Sequence, residues 1–432
     1  MRVLWLAPNG GNYKNHTVKG TGGWIGALQD ELVKRVPDLE LGIIFGSTDS
    51  IPVKEGDVSY FPIKIKENNK IKEILKSASS GEKNREKIFI NHTKNVIDSF
   101  KPDLVHVWGV ENTYAAVIPY LDCPFVVHIQ GLLSLLLSNY MPPAVSLSEI
   151  NKAESLCSPK TWAKRILHCT QKDAYQSAFY RAERELCVSK YIKNWMGRTD
   201  WDYKASQLLS PGSAYYHCDE IMRDGFSNAT WKYHYDGQQL TIHSSISSEW
   251  YKGIDVILKT AALLKKLGIN IKWNVFGVNS SDTKVRYFVS NLHINPLEVN
   301  VVFHGRVDGS AIKNSLERSD VFVHPSYIEN SSNAIAEAMM LGMPTIAQYV
   351  GGNPSMLKND SGVLVAANEP YMLAYEIMKM REKEFAEGYS KRALLLAKKR
   401  QNTESVLKDL VETYRTIISK SIQKNYSEFN RD

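Results

Sequence analysis

The sequence has few of the features that would place a protein in a membrane, in an oxidising compartment or on nucleic acid. Its 432 residues include only five cysteines, widely spaced and without a C-x-x-C pair, which argues against a disulfide framework or a zinc site. No apolar run approaches the roughly 18 residues of a membrane span, and the start MRVLWLAPNGG is too short for a signal peptide. Despite a net charge of +7, no dense Lys/Arg run with interleaved aromatics occurs, so nucleic acid is a disfavoured partner. We expect a cytoplasmic protein, or one attached peripherally to the inner face of the membrane.

The composition is that of an ordinary globular chain, with 43% hydrophobic and 23% charged residues. The length allows two or three domains with proper cores. Apolar strands such as RVLWLA, KPDLVHVWG, CPFVVHIQG, QLTIHSS and IKWNVFG alternate with helical patterns, and ELCVS, residues 185 to 189, is predicted as a further short strand. This alternation predicts an α/β fold with parallel sheets. In such sheets, ligands bind at the carboxyl ends of the strands.

The stretch from Val321 to Asn353 carries the densest set of functional signals. It reads as a buried strand, a polar turn with Glu329, a helix with Glu337, a Gly-Met-Pro stop, a second strand and a glycine turn. Two carboxylates eight residues apart are, on their own, most simply a solvated helix face. Their surroundings favour a binding site instead.

Between these glutamates, Asn330, Ser331, Ser332 and Asn333 are residues suited to a helix N-cap, so we predict that the helix begins there. Its first backbone amides and the positive end of its dipole would bind an anion such as phosphate. Glu337 then lies about two turns into the helix. This layout suits a nucleotide sugar.

The pattern Glu329-x7-Glu337, followed by EAMMLGMPTIA and a Gly-Gly turn, resembles the donor-site signature of retaining glycosyltransferases of family four. The resemblance implies the GT-B fold, in which two doubly wound Rossmann-like domains face each other across a cleft. It also implies that Glu329 positions the donor sugar and that Glu337 holds the ribose. Asn330, Ser331, Ser332 and Asn333 are then donor-binding residues, with amides near Ser331 and Ser332 at the diphosphate. Retention in this family is usually ascribed to front-face attack.

A second set of predicted site residues lies in the N-terminal half. Gly20, Gly22 and Gly23 precede a predicted helix from about Trp24, either as a flexible turn or as a place where a ligand approaches the backbone. Similar loops in the resembled family lie over the diphosphate and the acceptor, which favours Gly22 and Gly23 as donor-binding residues.

Two strand ends supply the remaining residues of the N-terminal half. By the same resemblance, His128 at the end of CPFVVHIQG is a catalytic residue next to the donor sugar, although a lone His is more often structural. Glu111 and Gln130 are predicted on the acceptor side, where a surface carboxylate is the commoner explanation for Glu111.

Lys252, which with Gly253 opens a predicted helix, completes the predicted site. A cation at a helix N-terminus opposes the dipole and favours an anionic partner, and the matching lysine in the resembled family binds the donor phosphates. That family usually has an arginine five residues earlier, where this chain has Ser247. We therefore expect Lys252 and backbone amides to carry the phosphate binding, or Arg306 to substitute.

Three further segments admit two interpretations each. Ile71, Ile74, Leu75 and Ala78, with lysines around them, form either a solvated helix or a basic helix on an anionic membrane. The segment GLLSLLLSNYMPP, 131 to 143, is a buried helix or a wall for a lipid-linked acceptor. Asp200-Trp201-Asp202 has the D-x-D form of metal-dependent transferases, but its context favours chance.

We predict a glycosyltransferase that moves a monosaccharide from a UDP- or GDP-type donor to a sugar or lipid-linked glycan acceptor with retention, in polysaccharide or glycoconjugate biosynthesis. No metal or cofactor is expected. The acceptor-side domain spans residues 1 to 225 and is completed by a C-terminal helix at about 411 to 432, and the donor-binding domain spans 226 to 410. A nucleotide-sugar epimerase of the same fold and a non-catalytic sugar-binding protein are the alternatives. A retaining hydrolase is disfavoured, because it needs two carboxyls only ~5 Å apart. Glu329 and Glu337 should be farther apart than that if a helix begins between them.

Overall fold

A computed structural model describes residues 1–15, 23–65, 82–143, 145–146, 148–149, 171–222, 225–226 and 230–429. Contacts divide the chain into two units. The first unit contains Met1–Leu137, Trp162–Ile221 and Asn402–Asp432, and the second contains Ser138–Thr161 and Met222–Gln401. Gly20, Gly22 and the basic segment around Ile71 lie outside the described residues.

The first unit is built on an eight-stranded sheet with the order β3-β4-β2-β1-β5-β6-β7-β8. Every neighbouring pair is parallel except β3 and β4. The strands are Arg2–Leu6 (β1), Glu40–Ser47 (β2), Val53–Glu55 (β3), Val58–Lys64 (β4), Leu104–Trp108 (β5), Phe125–His128 (β6), Asn194–Gly197 (β7) and Ala214–His217 (β8). The helices are Gly23–Arg35 (α1), Glu82–Phe100 (α2), Leu133–Ser138 (α3), Gln171–Ser189 (α4), Asp200–Leu209 (α5) and the C-terminal Thr403–Phe429 (α13).

Both faces of this sheet are covered, as the apolar run of β1 predicts. Successive side chains of a strand point to opposite faces. Val3 and Trp5 pack in one buried cluster with residues of α1 and α13, whereas Leu4 and Leu6 pack in another with residues of α2. The first unit is therefore a helix-sheet-helix layer structure, which is the predicted doubly wound arrangement.

The second unit contains a six-stranded, fully parallel sheet with the order β11-β10-β9-β12-β13-β14. Its strands are Leu240–Ser245 (β9), Ile271–Phe276 (β10), Val301–Gly305 (β11), Val321–His324 (β12), Thr345–Gln348 (β13) and Val363–Val365 (β14). Its helices are Ile254–Lys266 (α6), Thr283–Leu292 (α7), Gly309–Glu317 (α8), Asn333–Met340 (α9), Asn353–Met356 (α10), Pro370–Lys379 (α11) and Lys383–Arg400 (α12). The chain builds outward from β9 to one edge, then returns to place β12 on the other side of β9.

One predicted strand is wrong. Residues 185 to 189, ELCVS, were expected as a strand, but they form the end of the helix Gln171–Ser189. Ala182, Glu185, Val188 and Ser189 are buried while Leu186 and Cys187 are exposed, which is the spacing of one helix face. The Val and Cys that suggested a strand are weak signals, and tertiary packing outweighed them.

Two of the ambiguous segments have simple structural roles. Asp200 and Asp202 lie in the first turn of α5, where Thr199 and Asp202 form a capping box, so this D-x-D sequence serves a helix end. The leucine-rich segment forms the helix Leu133–Ser138, which confirms the predicted helix, but no residue of this helix is buried, so the prediction that it is a buried helix is wrong. Among the described residues, no helix is both long and apolar enough to cross a bilayer.

Candidate functional site

The switch in strand order of the second unit lies between β9 and β12, which are parallel neighbours. A crevice opens at such a point, because the connections from the two strands leave toward opposite sides of the sheet. The loop after β9 carries Lys252, and the loop after β12 carries Glu329. Two residues 77 positions apart in the sequence thus meet at the point where doubly wound sheets bind ligands.

Gly253 allows the first of these loops to approach the second. Its φ is +74°, and a Cβ at this position would lie 2.0 Å from the carbonyl oxygen of Pro325. The backbone amide of Tyr327 also donates to the carbonyl of Tyr251 at 2.8 Å. The sequence predicted that Lys252 and Gly253 open the long helix. In the structure, Lys252 lies before that helix. It ends a single 3-10 turn, Trp250–Lys252, and α6 begins after Gly253.

The predicted Gly-Gly turn fixes the backbone of Glu329 from the other side. Gly351 has φ +49°, and a Cβ on it would lie 1.8 Å from the Glu329 carbonyl oxygen. The amide of Gly352 donates to that same oxygen at 3.0 Å. Loops after three adjacent strands, β9, β12 and β13, are thus packed against one another around Glu329.

The side chains in this loop cluster form a small network of charges. Lys252 Nζ donates a short hydrogen bond to Glu329 Oε1, and His324 Nε2 lies 2.9 Å from the same oxygen. The Lys252 and Glu329 side chains are 13% and 11% exposed. Burial opposes the charged form of Glu329, but Lys252 and His324 outweigh it and hold the pKa of this carboxyl well below its usual range. For Lys252, burial acts to lower the pKa and Glu329 raises it, with a net rise.

A second buried carboxylate ties the Glu329 loop to the helix after Lys252. Tyr327 donates its hydroxyl proton to Asp255 Oδ2 at 2.8 Å, and Lys259 Nζ donates to the same oxygen at 2.9 Å. Asp255 lies in the first turn of α6, where a negative charge also suits the helix dipole. The loop therefore has a rigid support beneath its functional side chains.

The helix predicted between the two glutamates begins there. Ser332 is its N-cap and accepts from the Ile335 amide at 3.4 Å, and the helix runs from Asn333 to Met340. The amides of the first helical turn have no intrahelical carbonyl partner, so this end can bind an anion. Glu337 lies inside the helix and is 8% exposed.

Three further residues at this helix start have defined surroundings. Ser331 Oγ donates to the sulfur of Met356 at 3.5 Å. Asn333, the first helical residue, is exposed, whereas Asn330 is half-buried. Their predicted contacts to a donor stay predictions, as do those of Ser332 and Glu337.

The position of the missing arginine, Ser247, is exposed on the loop after β9. Arg306 is also exposed and follows β11, which is two strands away from β9 in the sheet. Adjacent strands are about 4.8 Å apart, so Arg306 must reach across β10 to take the role. That substitution stays a prediction.

In the first unit, His128 is the last residue of β6 and is 1% exposed. Its ring stacks on Trp108 with centroids 4.8 Å apart and on His106 at 5.5 Å. Neither ring nitrogen has a hydrogen-bond partner in the described part of the chain. Burial, with the nearby charge of Arg198, holds its pKa well below the usual range. His128 is therefore a neutral imidazole, and its catalytic role stays a prediction.

The two residues predicted on the acceptor side, Glu111 and Gln130, also lie in the first unit. Glu111 follows β5, and burial raises the pKa of its carboxyl to about 8, while Asn112 Nδ2 donates to its Oε1 at 3.0 Å. Gln130 Oε1 accepts from Arg198 Nη2 at 3.0 Å. Glu111 is thus protonated at neutral pH and can donate as well as accept a hydrogen bond.

The glycine-rich loop is described only at its two ends. Gly22 lies outside the described residues, and Gly23 is the first residue of α1. Beside the described start of this loop is a cavity of about 320 Å³, lined in part by Asn9, Tyr13 and Asp49.

Reasoning from the sequence missed His324, Tyr327 and Asp255. His324 and Tyr327 stand inside the stretch that carried the strongest signal, at a strand end where site residues collect, so position alone was enough to find them. Asp255 offered no such signal, because an acidic residue in a first helical turn is common. Among the described residues, no group of three or more His, Cys, Asp or Glu side chains is placed to hold a metal ion.

Comparison with solved structures shows the fold. The chain is similar to sucrose-phosphate synthase from Thermosynechococcus elongatus, with a TM-score of 0.68, 13% identity and coverage of 97% of this chain and 99% of that one. It is also similar to HepE from Anabaena, with a TM-score of 0.61, 14% identity and coverage of 96% and 100%. Two Rossmann-like units with these neighbours define a GT-B protein, which confirms the predicted fold class.

Sequence comparison identifies the second unit. Residues 229–400 match the family model described as Glycosyl transferases group 1, which confirms the predicted resemblance over this region. Protein CapJ of Staphylococcus aureus is 32% identical over 111 residues, a match that spans 26% of this chain and 27% of CapJ. Residues 229–400 are thus similar to Glycosyl transferases group 1, and they belong to a chain with the GT-B fold.

Proposed function

We propose that this protein is a glycosyltransferase that moves a monosaccharide from a nucleotide-sugar donor to a sugar or lipid-linked glycan acceptor. The observation that supports this most strongly is the Lys252–Glu329 pair, placed at the switch point of a sheet and beside a helix N-terminus. The region that contains it matches a glycosyltransferase family. A cation, a carboxylate and a helix end within one loop cluster suit a diphosphate linked to a sugar.

Each element of the cluster has a proposed task. Transfer breaks the bond between the anomeric carbon and the diphosphate oxygen, and negative charge develops on the diphosphate. Lys252 and the first amides of α9 stabilise that charge electrostatically. Glu329 accepts hydrogen bonds from sugar hydroxyls, and Glu337 does so from the ribose.

We further propose retention of configuration. The acceptor oxygen bonds to the anomeric carbon from the face that the diphosphate leaves, and its proton passes to the departing diphosphate oxygen. No protein nucleophile is then required. Since a cation and a helix end neutralise the leaving group, we propose that no metal ion is needed either.

The proposed donor is a UDP-sugar, with a GDP-sugar as the alternative. The similar Anabaena structure contains UDP and glucose, which supports a uridine nucleotide here. Acceptor roles are proposed for Glu111 and Gln130 in the first unit, and the product would enter polysaccharide or glycoconjugate biosynthesis.

The test begins with a thermal-shift survey of UDP- and GDP-sugars, because a ligand that binds only the folded state raises the melting temperature. The donor that binds is then incubated with candidate glycan acceptors, with and without EDTA, and the anomeric configuration of the product is read by NMR. We expect transfer with retention that EDTA leaves unchanged and that the Glu329→Gln variant loses. Free epimerised sugar would indicate an epimerase, and binding without turnover would indicate a non-catalytic sugar-binding protein.

A further inference from the structure

In the loop cluster of the second unit, the proposed function gives no task to the ionisable side chain of His324. It is the last residue of β12 and is 2% exposed. Its Nε2 lies 2.9 Å from Glu329 Oε1 and 3.2 Å from Ser326 Oγ. Few buried histidines have a functional carboxylate as a direct partner.

The surroundings of the ring determine where its proton is. An ionised carboxylate can only accept hydrogen bonds, and Lys252 and His324 together hold Glu329 in its ionised form. Nδ1 of His324 is buried and has no partner in the part of the chain that the structure describes. Nε2 therefore carries a proton, which it donates to Glu329 Oε1.

This arrangement makes the two oxygens of Glu329 unequal. Lys252 Nζ and His324 Nε2 both donate to Oε1, while Oε2 receives no hydrogen bond from any described residue. A carboxylate has about four acceptor positions. Those of Oε2 are left for hydroxyl groups of a ligand.

Lys252 and His324 differ in what a bound diphosphate would do to them. The ammonium of Lys252 is on a flexible stem and is attracted to phosphate charge, so donor binding weakens its hold on Glu329. His324 is at a strand end in the interior and remains in place. The imidazole of His324 can then keep Glu329 in position by its own hydrogen bond to Oε1.

We propose that His324 is a positioning residue, which holds Oε1 of Glu329 so that Oε2 faces the donor-sugar hydroxyls while Lys252 engages the diphosphate. This inference rests on the proposed function of the same site. Its consequence is that His324 acts on the sugar half of the donor and leaves nucleotide binding to other groups.

The kinetic test compares His324→Leu, His324→Gln and the control His293→Asn, with the nucleotide sugar found in the thermal-shift survey. His293 is exposed and has φ +54°, a conformation that asparagine tolerates. We expect His324→Leu to lower kcat/KM about ten- to a hundredfold, the effect of losing one hydrogen bond to a charged group. The Kd for UDP should change less than about threefold, because UDP lacks the donor sugar that Glu329 is proposed to contact. His324→Gln, which keeps an N–H donor, should recover much of the loss, and His293→Asn should match the wild type.

Three kinetic outcomes overturn the proposal. Full kcat/KM in His324→Leu would mean that Glu329 needs no such support. An equal fall in UDP affinity and in kcat/KM would mean that the ring supports the whole loop, and a failure of His324→Gln to recover activity would support the same conclusion.

A spectroscopic test separates this inference from the proposed function. In histidine-labelled protein, long-range proton-nitrogen correlation reports which ring nitrogen carries the proton, and the signals absent from His324→Gln belong to His324. We expect the proton on Nε2 in the wild type and in Lys252→Met, with a changed Nε2 signal in Glu329→Gln. A ring that has its proton on Nδ1 and none on Nε2 would overturn the inference even if the protein transfers sugar. If no nucleotide sugar binds the wild type, the proposed function fails together with the role of His324 in sugar binding, whatever the spectrum shows.

Discussion

Replacing Lys252 by methionine should destabilise the second unit more than replacing both members of its ion pair. The two side chains are only 13% and 11% exposed, so Lys252→Met leaves Glu329 largely out of water with His324 Nε2 as its remaining hydrogen-bond partner. Breaking one side of a buried pair typically costs 3–5 kcal/mol. Because His324 remains and the pair is partly hydrated, we expect the lower end, about 3 kcal/mol. Lys252→Met combined with Glu329→Gln should cost about 1 kcal/mol or less, since no charge is left unpaired.

The assay is thermal unfolding of the four proteins of this double-mutant cycle at pH 7. A loss of 1 kcal/mol lowers the Tm by about 2–4 °C for a unit of 150–250 residues, so Lys252→Met should melt roughly 6–12 °C below the wild type. Lys266→Met, at the exposed end of helix α6, is the matched control and should be within about 0.5 kcal/mol of the wild type. A Lys252→Met protein as stable as that control, or a double variant as unstable as the single one, would refute the reasoning.

The same cycle has a pH dependence of known sign. The pKa of Glu329 lies below its ordinary value of 4.5 in the folded protein. A depressed carboxyl pKa contributes stability that is present above the unfolded pKa and is lost as the pH falls through the folded one. The difference in the free energy of unfolding between the wild type and Lys252→Met should therefore be largest at pH 7 and should decrease below about pH 4.5.

Three other substitutions test separate parts of the structure. Glu337→Gln should weaken UDP binding about tenfold or more, as expected for a lost hydrogen bond to a charged group, and unchanged affinity by calorimetry would contradict the ribose assignment. Gly351→Ala should destabilise the protein by at least about 2 kcal/mol, because its Cβ would meet the Glu329 carbonyl at 1.8 Å. Gly268→Ala is its control in urea unfolding, since that glycine also has positive φ but nothing within 4 Å of an added Cβ. The free energy of unfolding of Glu111→Gln, measured at pH 5 and pH 8, should fall less toward high pH than that of the wild type. The raised pKa of Glu111, about 8, makes the wild type lose up to about 1.4 kcal/mol per pH unit between the unfolded and folded values, and an identical slope in both proteins would argue against it.

Long apolar strands and strong caps made most of the fold predictable. β1, β9 and β12 are apolar runs whose period and flanks leave little choice, and Ser332 is a cap residue that begins α9 where the sequence indicated. Residues 185 to 189 were misread because five residues with Val and Cys are ambiguous by themselves. The deciding information was that the carboxylate of Glu185 accepts hydrogen bonds from the amides of Leu133 and Ser134, a contact that spans about fifty residues and leaves no local trace.

The candidate site was predictable in its charges but only partly in its geometry. Glu329 and Lys252 were identified by chemical type and spacing, yet nothing in the sequence indicated that they would bond to each other. That bond depends on β9 pairing with β12 and on Gly253 lying against Pro325. The tautomer of His324 likewise follows from neighbours that only the folded chain provides.

The pairing of β9 with β12 also bears on how the protein is made. A chain emerging from the ribosome can complete β9, β10 and β11 in order, yet it has no partner for the inner edge of β9 until Val321 to His324 are synthesised. Non-local parallel pairing of this kind forms slowly. Binding of a nucleotide to the proposed site would therefore report that β12 has entered the sheet. A nascent chain that stops before β12 should expose the edge of β9 to chaperones or to other chains.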